Sequence, residues 1–229
     1  MTNYIIATVK PWNIDAYERH VSKLPGEWRL IDNRGDLTVE RLKELNPRYI
    51  FFPHWSWKVR SEILKTTECV AFHMTDLPYG RGGSPLQNLI SRGHDETLVS
   101  AIRMTPEVDE GPIYLKEKVS LDGRAEDIFV RLADVIYGMI KEIVDKEPKP
   151  VPQSGKPVMF ERRTPDQSVL PDQGEIRKIY DHIRMLDAET YPHAFLDHGR
   201  FHLEFRDAGI GPDGAVTAKV EICKKVKEA

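Results

Sequence analysis

Cysteine is scarce in this chain, with only Cys69 and Cys223 among its 229 residues. The two are too far apart for a zinc knuckle or a redox motif, so no metal centre is predicted. Cys69 stands in the apolar run at residues 69–72, which favours a buried thiol. Hydrophobic residues make up 40% of the chain, which is enough for a sizeable core and too many for a disordered chain.

The chain also lacks a long apolar run and an excess of basic residues. No apolar stretch approaches the length that spans a bilayer, and residues 1–6 contain no basic leader. These two absences favour a soluble, cytoplasmic protein with no membrane partner. The net charge of -3 argues against a nucleic-acid partner such as tRNA or DNA, which needs a strongly basic surface. A small anionic ligand, held by a few Arg or Lys side chains, is compatible with this charge.

Predicted strands and helices alternate along the first two thirds of the sequence. Strands are predicted at residues 5–9, 28–31, 48–52, 68–73, 98–104 and 112–119. Helices are predicted at residues 12–24, 37–45, 59–64 and 125–144, the second with Asp36 as its N-cap. Because the early strands are continuous apolar runs, the fold class is α/β, with a Rossmann-like, largely parallel sheet and helices on both faces.

A Pro-rich segment at residues 147–157 is predicted to be a linker between two units. The first unit spans residues 1–146. The second, at residues 158–229, is predicted to be a small α+β domain with a helix at 171–186 and antiparallel strands at 200–206 and 215–222. The apolar residues of these strands could form the interface of a homodimer.

The stretch from residue 72 to residue 87 contains the most informative residues. His73 stands at the carboxyl end of a buried strand, the edge at which open α/β sheets bind ligands. Gly80, Gly82 and Gly83 follow in a loop and allow a ligand to approach the backbone closely. A Ser-Pro pair at residues 84–85 then indicates the start of a helix.

This stretch resembles the formyltransferase family, which includes methionyl-tRNA formyltransferase, glycinamide ribonucleotide transformylase and the sugar N-formyltransferases. In that family a strand ends in Asn-x-His, a Leu-Pro pair follows, and an Arg-Gly-x-x-Pro-x-Gln turn leads into a helix. His73, the Leu-Pro pair at 77–78 and the run at 81–87 match this pattern. The family's second motif, Asp-x-Gly-x-Ile, matches residues 109–113, and the resemblance covers roughly residues 30–145.

The resemblance implies formyl transfer from N10-formyltetrahydrofolate, as co-substrate, to an amine. This is acyl transfer, which needs a proton acceptor for the amine and a donor for the oxyanion. His73 and Asp109 are the expected catalytic pair; either His73 takes the proton, or it steadies the oxyanion while Asp109 acts through water. The residues expected to bind the folate are Arg81, Gly82, Gly83, Val108, Asp109 and Glu110.

One position departs from the family motif. Where the family has an Asn two residues before the histidine, this chain has Ala71. The role of that amide is then filled elsewhere, with His54, Ser56 and Asn88 as candidates, or the chain is a non-catalytic folate- or nucleotide-binding protein. His54 is counted among the candidate catalytic residues.

A second resemblance bears on the acceptor. The Arg-Arg-Thr-Pro run that starts at Arg162 is similar to a stretch in the formyltransferase half of the aminoarabinose-modifying enzyme. It favours a nucleotide-linked amino sugar as acceptor, as in O-antigen biosynthesis of lipopolysaccharide. The alternatives are methionyl-tRNA and a free amino acid. The residues expected to bind the acceptor are Thr75, Tyr79, Arg81, Gln87, Arg162 and Arg163.

Overall fold

The computed structural model describes residues 1–225 and contains one large sheet, two smaller sheets and six α-helices. The strands are β1 (Asn3–Ala7), β2 (Glu27–Ile31), β3 (Tyr49–Phe52), β4 (Glu68–His73), β5 (Tyr79–Gly82), β6 (Glu96–Arg103), β7 (Ile113–Ser120), β8 (Val158–Phe160), β9 (Ala194–His198), β10 (Phe201–Ile210) and β11 (Val216–Lys224). The helices are α1 (Pro11–His20), α2 (Val39–Leu45), α3 (Ser61–Thr66), α4 (Pro85–Ser91), α5 (Ala125–Lys146) and α6 (Ile176–Arg184).

The large sheet has the strand order β2-β1-β3-β4-β6-β7. The first four strands are parallel to one another, whereas β6 and β7 are antiparallel to their neighbours. The predicted largely parallel sheet is confirmed. All four parallel strands end at the same edge, so the segments that follow β3 and β4 lie side by side.

Alternate residues of each strand pack on opposite faces of this sheet. Ile6 and Phe51 belong to a core cluster that includes residues of α1, α4, α5 and α6. Ile5, Ile50 and Cys69 belong to a second cluster with residues of α2 and α3. Helices thus cover both faces, as predicted. Burial raises the pKa of the Cys69 thiol to about 12, which fits the expected buried cysteine.

Several predicted helix starts differ from the structure, and those of α2 and α6 are two of them. Helix α2 begins at Val39, because the Thr38 hydroxyl accepts a hydrogen bond from the Arg41 amide at 3.2 Å and acts as its N-cap. Asp36, the predicted cap, instead belongs to a short 3-10 turn, Arg34–Asp36. Helix α6 begins at Ile176 rather than at residue 171.

Strand β8, which the sequence analysis missed, pairs in parallel with β5. It follows the predicted linker, so strand pairing joins the two predicted units, and the domain boundaries stay a prediction. The close approach requires glycine, since a Cβ atom at Gly82 would lie 2.4 Å from the Phe160 carbonyl oxygen. Within the linker itself, Val151 forms an antiparallel bridge with Ile113.

The C-terminal part forms an antiparallel sheet in the order β11-β10-β9, with β10 next to α6. The two predicted strands correspond to β10 and β11, and β9 completes the sheet. Among the helices within residues 1–225, not one combines the length and the apolar character that crossing a membrane requires.

Candidate active site

A cleft of about 470 Å³ opens beside the ends of β3 and β4. The loop after β6, at residues 104–109, forms its opposite wall. Seven of the residues expected to be catalytic or to bind the folate or the acceptor line it: His54, His73, Gly82, Gly83, Val108, Asp109 and Arg162.

His73, the last residue of β4, is buried with its side chain 10% exposed. Its Nε2 lies 2.7 Å from the Gly80 carbonyl oxygen. Because a carbonyl can only accept, Nε2 carries the proton in the neutral ring, and Nδ1 keeps its lone pair. Nδ1 lies 3.5 Å from Oδ1 of Asp109. The arrangement leaves Nδ1 free to take a proton, and the resulting imidazolium would face a carboxylate.

Asp109 is held in place by backbone contacts. Its Oδ2 accepts a hydrogen bond from the Gly82 amide at 2.9 Å, and its own φ of 56° lies in the left-handed region. Behind it, Gly111 packs so tightly on the backbone that a Cβ atom there would lie 1.7 Å from the Arg103 carbonyl oxygen. The position of this carboxylate is therefore fixed by the fold of the loop.

Arg81 supports the Asp109 loop from behind and is absent from the cleft lining. Its Nε and Nη2 both donate to Oε1 of Gln153, at 3.1 and 2.8 Å, and Nη1 lies 3.0 Å from Oε1 of Glu110. The amide of Gln153 in turn donates to the carbonyls of Asp109 and Gly111, at 2.7 and 2.9 Å. With its donors turned to these partners, Arg81 has a positioning role. The sequence offered no signal for Gln153, which lies in the predicted linker.

His54 follows β3 and has a left-handed φ of 51°. Its Nδ1 lies 3.0 Å from the indole Nε1 of Trp12 and 3.1 Å from Nδ2 of Asn13. Burial, together with the smaller effects of the positive charges of Lys10 and His73, lowers the pKa of His54 to about 3. His54 is therefore neutral near pH 7, and it is a poor proton acceptor because its pKa is so low and its Nδ1 lone pair already faces the Trp12 and Asn13 donors.

One wall of the cleft is aromatic. The rings of Phe52 and Trp55 are 5.8 Å apart between centroids, and those of Trp55 and Trp57 are 5.1 Å apart. Met104 and Val108 add apolar surface from the loop on the opposite wall. The cleft thus combines an aromatic, apolar part with a polar end, a composition suited to a heteroaromatic ligand whose reactive group lies at the polar end. These residues fit a reduced folate.

One cation, Arg162, lies in the lining of the cleft, and a second, Lys10, lies outside that lining but near Arg162. Arg162 lines the cleft, and its charge lowers the pKa of Lys10, after the larger effect of burial. The Lys10 ammonium donates to the Thr190 hydroxyl at 2.8 Å and lies 5.5 Å from the ring centroids of both Trp12 and Tyr191. Within residues 1–225 no carboxylate lies within 4 Å of either cation. Sequence reasoning missed Lys10, which stands at the start of α1.

Two predicted acceptor-binding residues are buried away from the cleft lining. Thr75 is fully buried, and its hydroxyl lies 3.4 Å from the Gly80 carbonyl oxygen. Gln87 is 1% exposed and donates to the Met185 carbonyl at 3.0 Å. Neither side chain is reachable by a substrate in this structure, because the core covers both.

Two others lie near the surface but are engaged elsewhere. The hydroxyl of Tyr79 lies 3.2 Å from Nε2 of His94. The Arg163 guanidinium donates to the Gln167 carbonyl, and its backbone amide donates to the Ser84 hydroxyl at 3.0 Å. Of the six residues expected to bind the acceptor, Arg162 alone lines the cleft described within residues 1–225.

No group of three or more His, Cys, Asp or Glu side chains in the described part of the chain could hold a metal ion. The groups that can act on a substrate in the cleft are the His73 imidazole, the Asp109 carboxylate and the neighbouring hydrogen-bond donors.

An imidazole–carboxylate pair beside the strand ends of an α/β sheet defines an acid–base site of the kind that enzymes use for group transfer. The C-terminal residues 165–223 match the family model described as the C-terminal domain of methionyl-tRNA formyltransferase. A methionyl-tRNA formyltransferase from Clostridium thermocellum is 45% identical, with a TM-score of 0.95 over 98% of this chain and 100% of that one. The chain belongs to the formyltransferase family, and it is an enzyme of one-carbon group transfer.

More distant matches agree with this fold. A methionyl-tRNA formyltransferase from Thermodesulfovibrio yellowstonii is 27% identical over 210 residues, which are 85% of this chain and 67% of that relative. The matched regions span between 39% and 67% of the lengths of these curated relatives. A sugar N-formyltransferase from Shewanella has a TM-score of 0.66 at 15% identity over 99% of this chain and all of that one, which shows a shared fold.

Proposed function

We propose that the chain transfers a formyl group from N10-formyltetrahydrofolate to a primary amine, with His73 and Asp109 as the catalytic pair. The observation that carries the proposal is the 3.5 Å approach of Asp109 Oδ1 to the free Nδ1 of His73 in one cleft.

The reaction forms a bond between the amine nitrogen and the formyl carbon, and it breaks the bond between that carbon and N10 of the folate. The attacking amine loses a proton, which His73 Nδ1 accepts because Nε2 is committed to Gly80. Asp109 stabilises the imidazolium so formed. The same proton can then pass to N10 as the reduced folate leaves, so the pair ends the cycle in its starting state.

The folate occupies the cleft with its pterin on the aromatic side. Phe52, Trp55 and Trp57 supply ring surfaces, and the backbone of residues 105–109 supplies polar groups for the edge of the pterin. The formyl group then lies at the polar end, next to His73. Of the residues expected to bind folate, Gly82, Gly83, Val108 and Asp109 fit this arrangement, while Arg81 and Glu110 act through the loop.

For the acceptor, we propose methionyl-tRNA first. The supporting observations are the 45% identity to the Clostridium methionyl-tRNA formyltransferase and the match of residues 165–223 to the C-terminal domain of such enzymes. In this proposal the aminoacylated end of the tRNA reaches His73 past Lys10 and Arg162, whose charges attract its phosphates.

A nucleotide-linked amino sugar is the second candidate. It is favoured by the net charge of -3, which is unusual for a tRNA-binding protein, and by the local character of the Lys10–Arg162 cation pair. Two adjacent cations suit a diphosphate, whereas a tRNA arm needs a broader basic surface.

A single-turnover assay tests both candidates. The protein is mixed with N10-formyltetrahydrofolate and, separately, with methionyl-tRNA or with dTDP-, UDP- and GDP-linked amino sugars, and the formylated product is measured by mass spectrometry. Asp109→Asn serves as the matched control. Transfer to methionyl-tRNA with a steep salt dependence supports the first acceptor, and transfer to one sugar supports the second. Folate binding without any transfer would overturn the proposed function.

A further inference from the structure

Formyl transfer makes a demand that the His73–Asp109 pair does not meet. As the amine attacks, negative charge grows on the formyl oxygen, and a hydrogen-bond donor fixed at that point stabilises the transition state. His73 has one N–H group in its neutral form, and Gly80 accepts from it. Ala71, two residues before His73, lines the cleft but its side chain is only a methyl group and offers no hydrogen-bond donor. A donor must therefore come from another residue.

His54 lies where such a donor is needed. Strands β3 and β4 are adjacent and parallel, and Phe52 pairs with Ala71, so the residues two positions further on, His54 and His73, leave neighbouring strand ends. Both imidazoles line the same cleft, and they are near enough that positive charge on His73 lowers the pKa of His54.

The hydrogen bonds of His54 fix its tautomer. The indole of Trp12 can only donate, so Nδ1 of His54, 3.0 Å from it, must be an acceptor and carries no proton. The ring proton is then on Nε2. The rings of Trp12 and Phe129 hold the imidazole edge-on, at centroid distances of 5.8 and 5.2 Å. Within residues 1–225, no protein group accepts a hydrogen bond from Nε2, and this atom is not sealed off from solvent.

We propose that the Nε2–H group of His54 donates a hydrogen bond to the formyl oxygen and stabilises the oxyanion of the tetrahedral intermediate. The inference rests on the proposed function and gives His54 an electrostatic role that is distinct from proton transfer. Because His54 stays neutral, it holds its proton through the cycle and does not compete with His73 for the proton of the amine.

The other candidates for this role are less suitable. The side-chain amide of Asn88 donates to the carbonyls of Gly83, Ser84 and Glu161, and Asn88 is absent from the cleft lining. Ser56 lines the cleft but is exposed, in the segment between β3 and α3, and has no partner that fixes its hydroxyl within residues 1–225.

Nitrogen NMR on histidine-labelled protein tests the contact without requiring turnover. His54→Gln identifies the His54 signals. We expect a free-state spectrum with the proton on Nε2, and a shift of that N–H signal with N10-formyltetrahydrofolate that is much smaller with tetrahydrofolate, which lacks the formyl oxygen. A proton on Nδ1, or equal shifts with the two folates, would overturn the inference.

Kinetics provide the second test, with the acceptor that the wild-type protein formylates. His54→Phe keeps an aromatic ring but removes the donor, so the chemical rate should fall by ~10²-fold with the KM for folate little changed. His54→Gln, which keeps a donor, should lose less. Adding Ala71→Asn to His54→Phe places an amide beside His73 and should recover at least ~10-fold of the rate, a rescue that a merely structural role of His54 does not predict.

Failure of the proposed function can be distinguished from failure of the role proposed for His54. If the wild-type protein binds no folate or formylates no acceptor, the proposed function fails. If the wild-type protein is active and His54→Phe, folded by circular dichroism and thermal melting, turns over at the same rate, only the role of His54 fails.

Discussion

His73 and Asp109 meet across the cleft, with 3.5 Å between Nδ1 and Oδ1, although His73 ends strand β4 and Asp109 lies in the loop after β6. Strand β6 runs back along β4, so that Arg103 pairs with Val70, at some distance from the end of β4. The loop after β6 then returns toward His73 and is held there by the Gly82 amide. The side chains of His73 and Asp109 thus come together because this loop folds back toward the end of β4.

The first prediction concerns this pair. His73→Ala and Asp109→Asn should each lower the single-turnover rate by at least ~10²-fold, the usual scale for acid–base groups. Asp109→Asn keeps the shape of the side chain but removes the charge that faces the imidazolium. The check is rapid-quench measurement at saturating folate, with circular dichroism as the control for folding. Unchanged turnover in either variant would remove that residue from the mechanism.

The second prediction concerns the support of the Asp109 loop. Gln153→Glu can still accept from Arg81 but loses the two donors to the carbonyls of Asp109 and Gly111. Two unsatisfied carbonyls next to a new negative charge should loosen the loop and weaken folate binding by about 10-fold or more. Isothermal titration calorimetry checks the affinity. Lys149→Gln, an exposed change in the same segment, is the matched control and should bind folate like the wild type.

Sequence patterns were sufficient for the parts of the site that depend on local order. The apolar run that ends at His73 predicted the end of a strand. The glycine that follows Asp109 in its motif predicted a loop there. The orientation of Arg81 was not predictable, because its partner Gln153 approaches from a Pro-rich segment far along the chain. The hydrogen bond from Trp12 to His54 is equally non-local, since it depends on the packing of α1 against the end of β3.

The third prediction concerns the acceptor end of the cleft. Arg162→Gln and Lys10→Gln should each raise the KM for the acceptor by about 10-fold and leave folate affinity unchanged, because Arg162 lines the cleft and Lys10 lies near Arg162, away from the aromatic wall. Lys43→Gln, on α2 at the opposite face of the sheet, is the matched control. A rise in folate KM instead would mean that these cations bind the folate rather than the acceptor.

The fourth prediction concerns the expected homodimer. Leu196, Leu203 and Ile222 form a row across β9, β10 and β11, and the outer two are 40% and 63% exposed. A second copy could cover this apolar row together with the outer edge of β11, which no strand within residues 1–225 pairs with. The double variant Leu196→Lys, Ile222→Lys should then be monomeric in sedimentation equilibrium under conditions where the wild-type protein is a dimer. A monomeric wild type would show the dimer prediction to be wrong, and a dimeric double variant would locate the interface elsewhere.

The fifth prediction follows from the partly buried, neutral His54. Its pKa is lowered from an ordinary value near 6.5 to about 3 in the folded protein. Between these values the unfolded chain binds a proton that the folded chain does not, so the free energy of unfolding should fall as the pH falls through this range. The loss attributable to this group is at most about 1.4 kcal/mol per pH unit.

Urea unfolding of the wild type and of His54→Gln at pH 7.5, 6 and 5 isolates the contribution of His54 to the free energy of unfolding, since Gln does not titrate. The wild type should lose stability faster than the variant on acidification, because protonating Nδ1 would set an N–H group against the indole N–H of Trp12. Parallel pH dependences of the two proteins would contradict both the assigned tautomer and the neutral donor that the oxyanion requires.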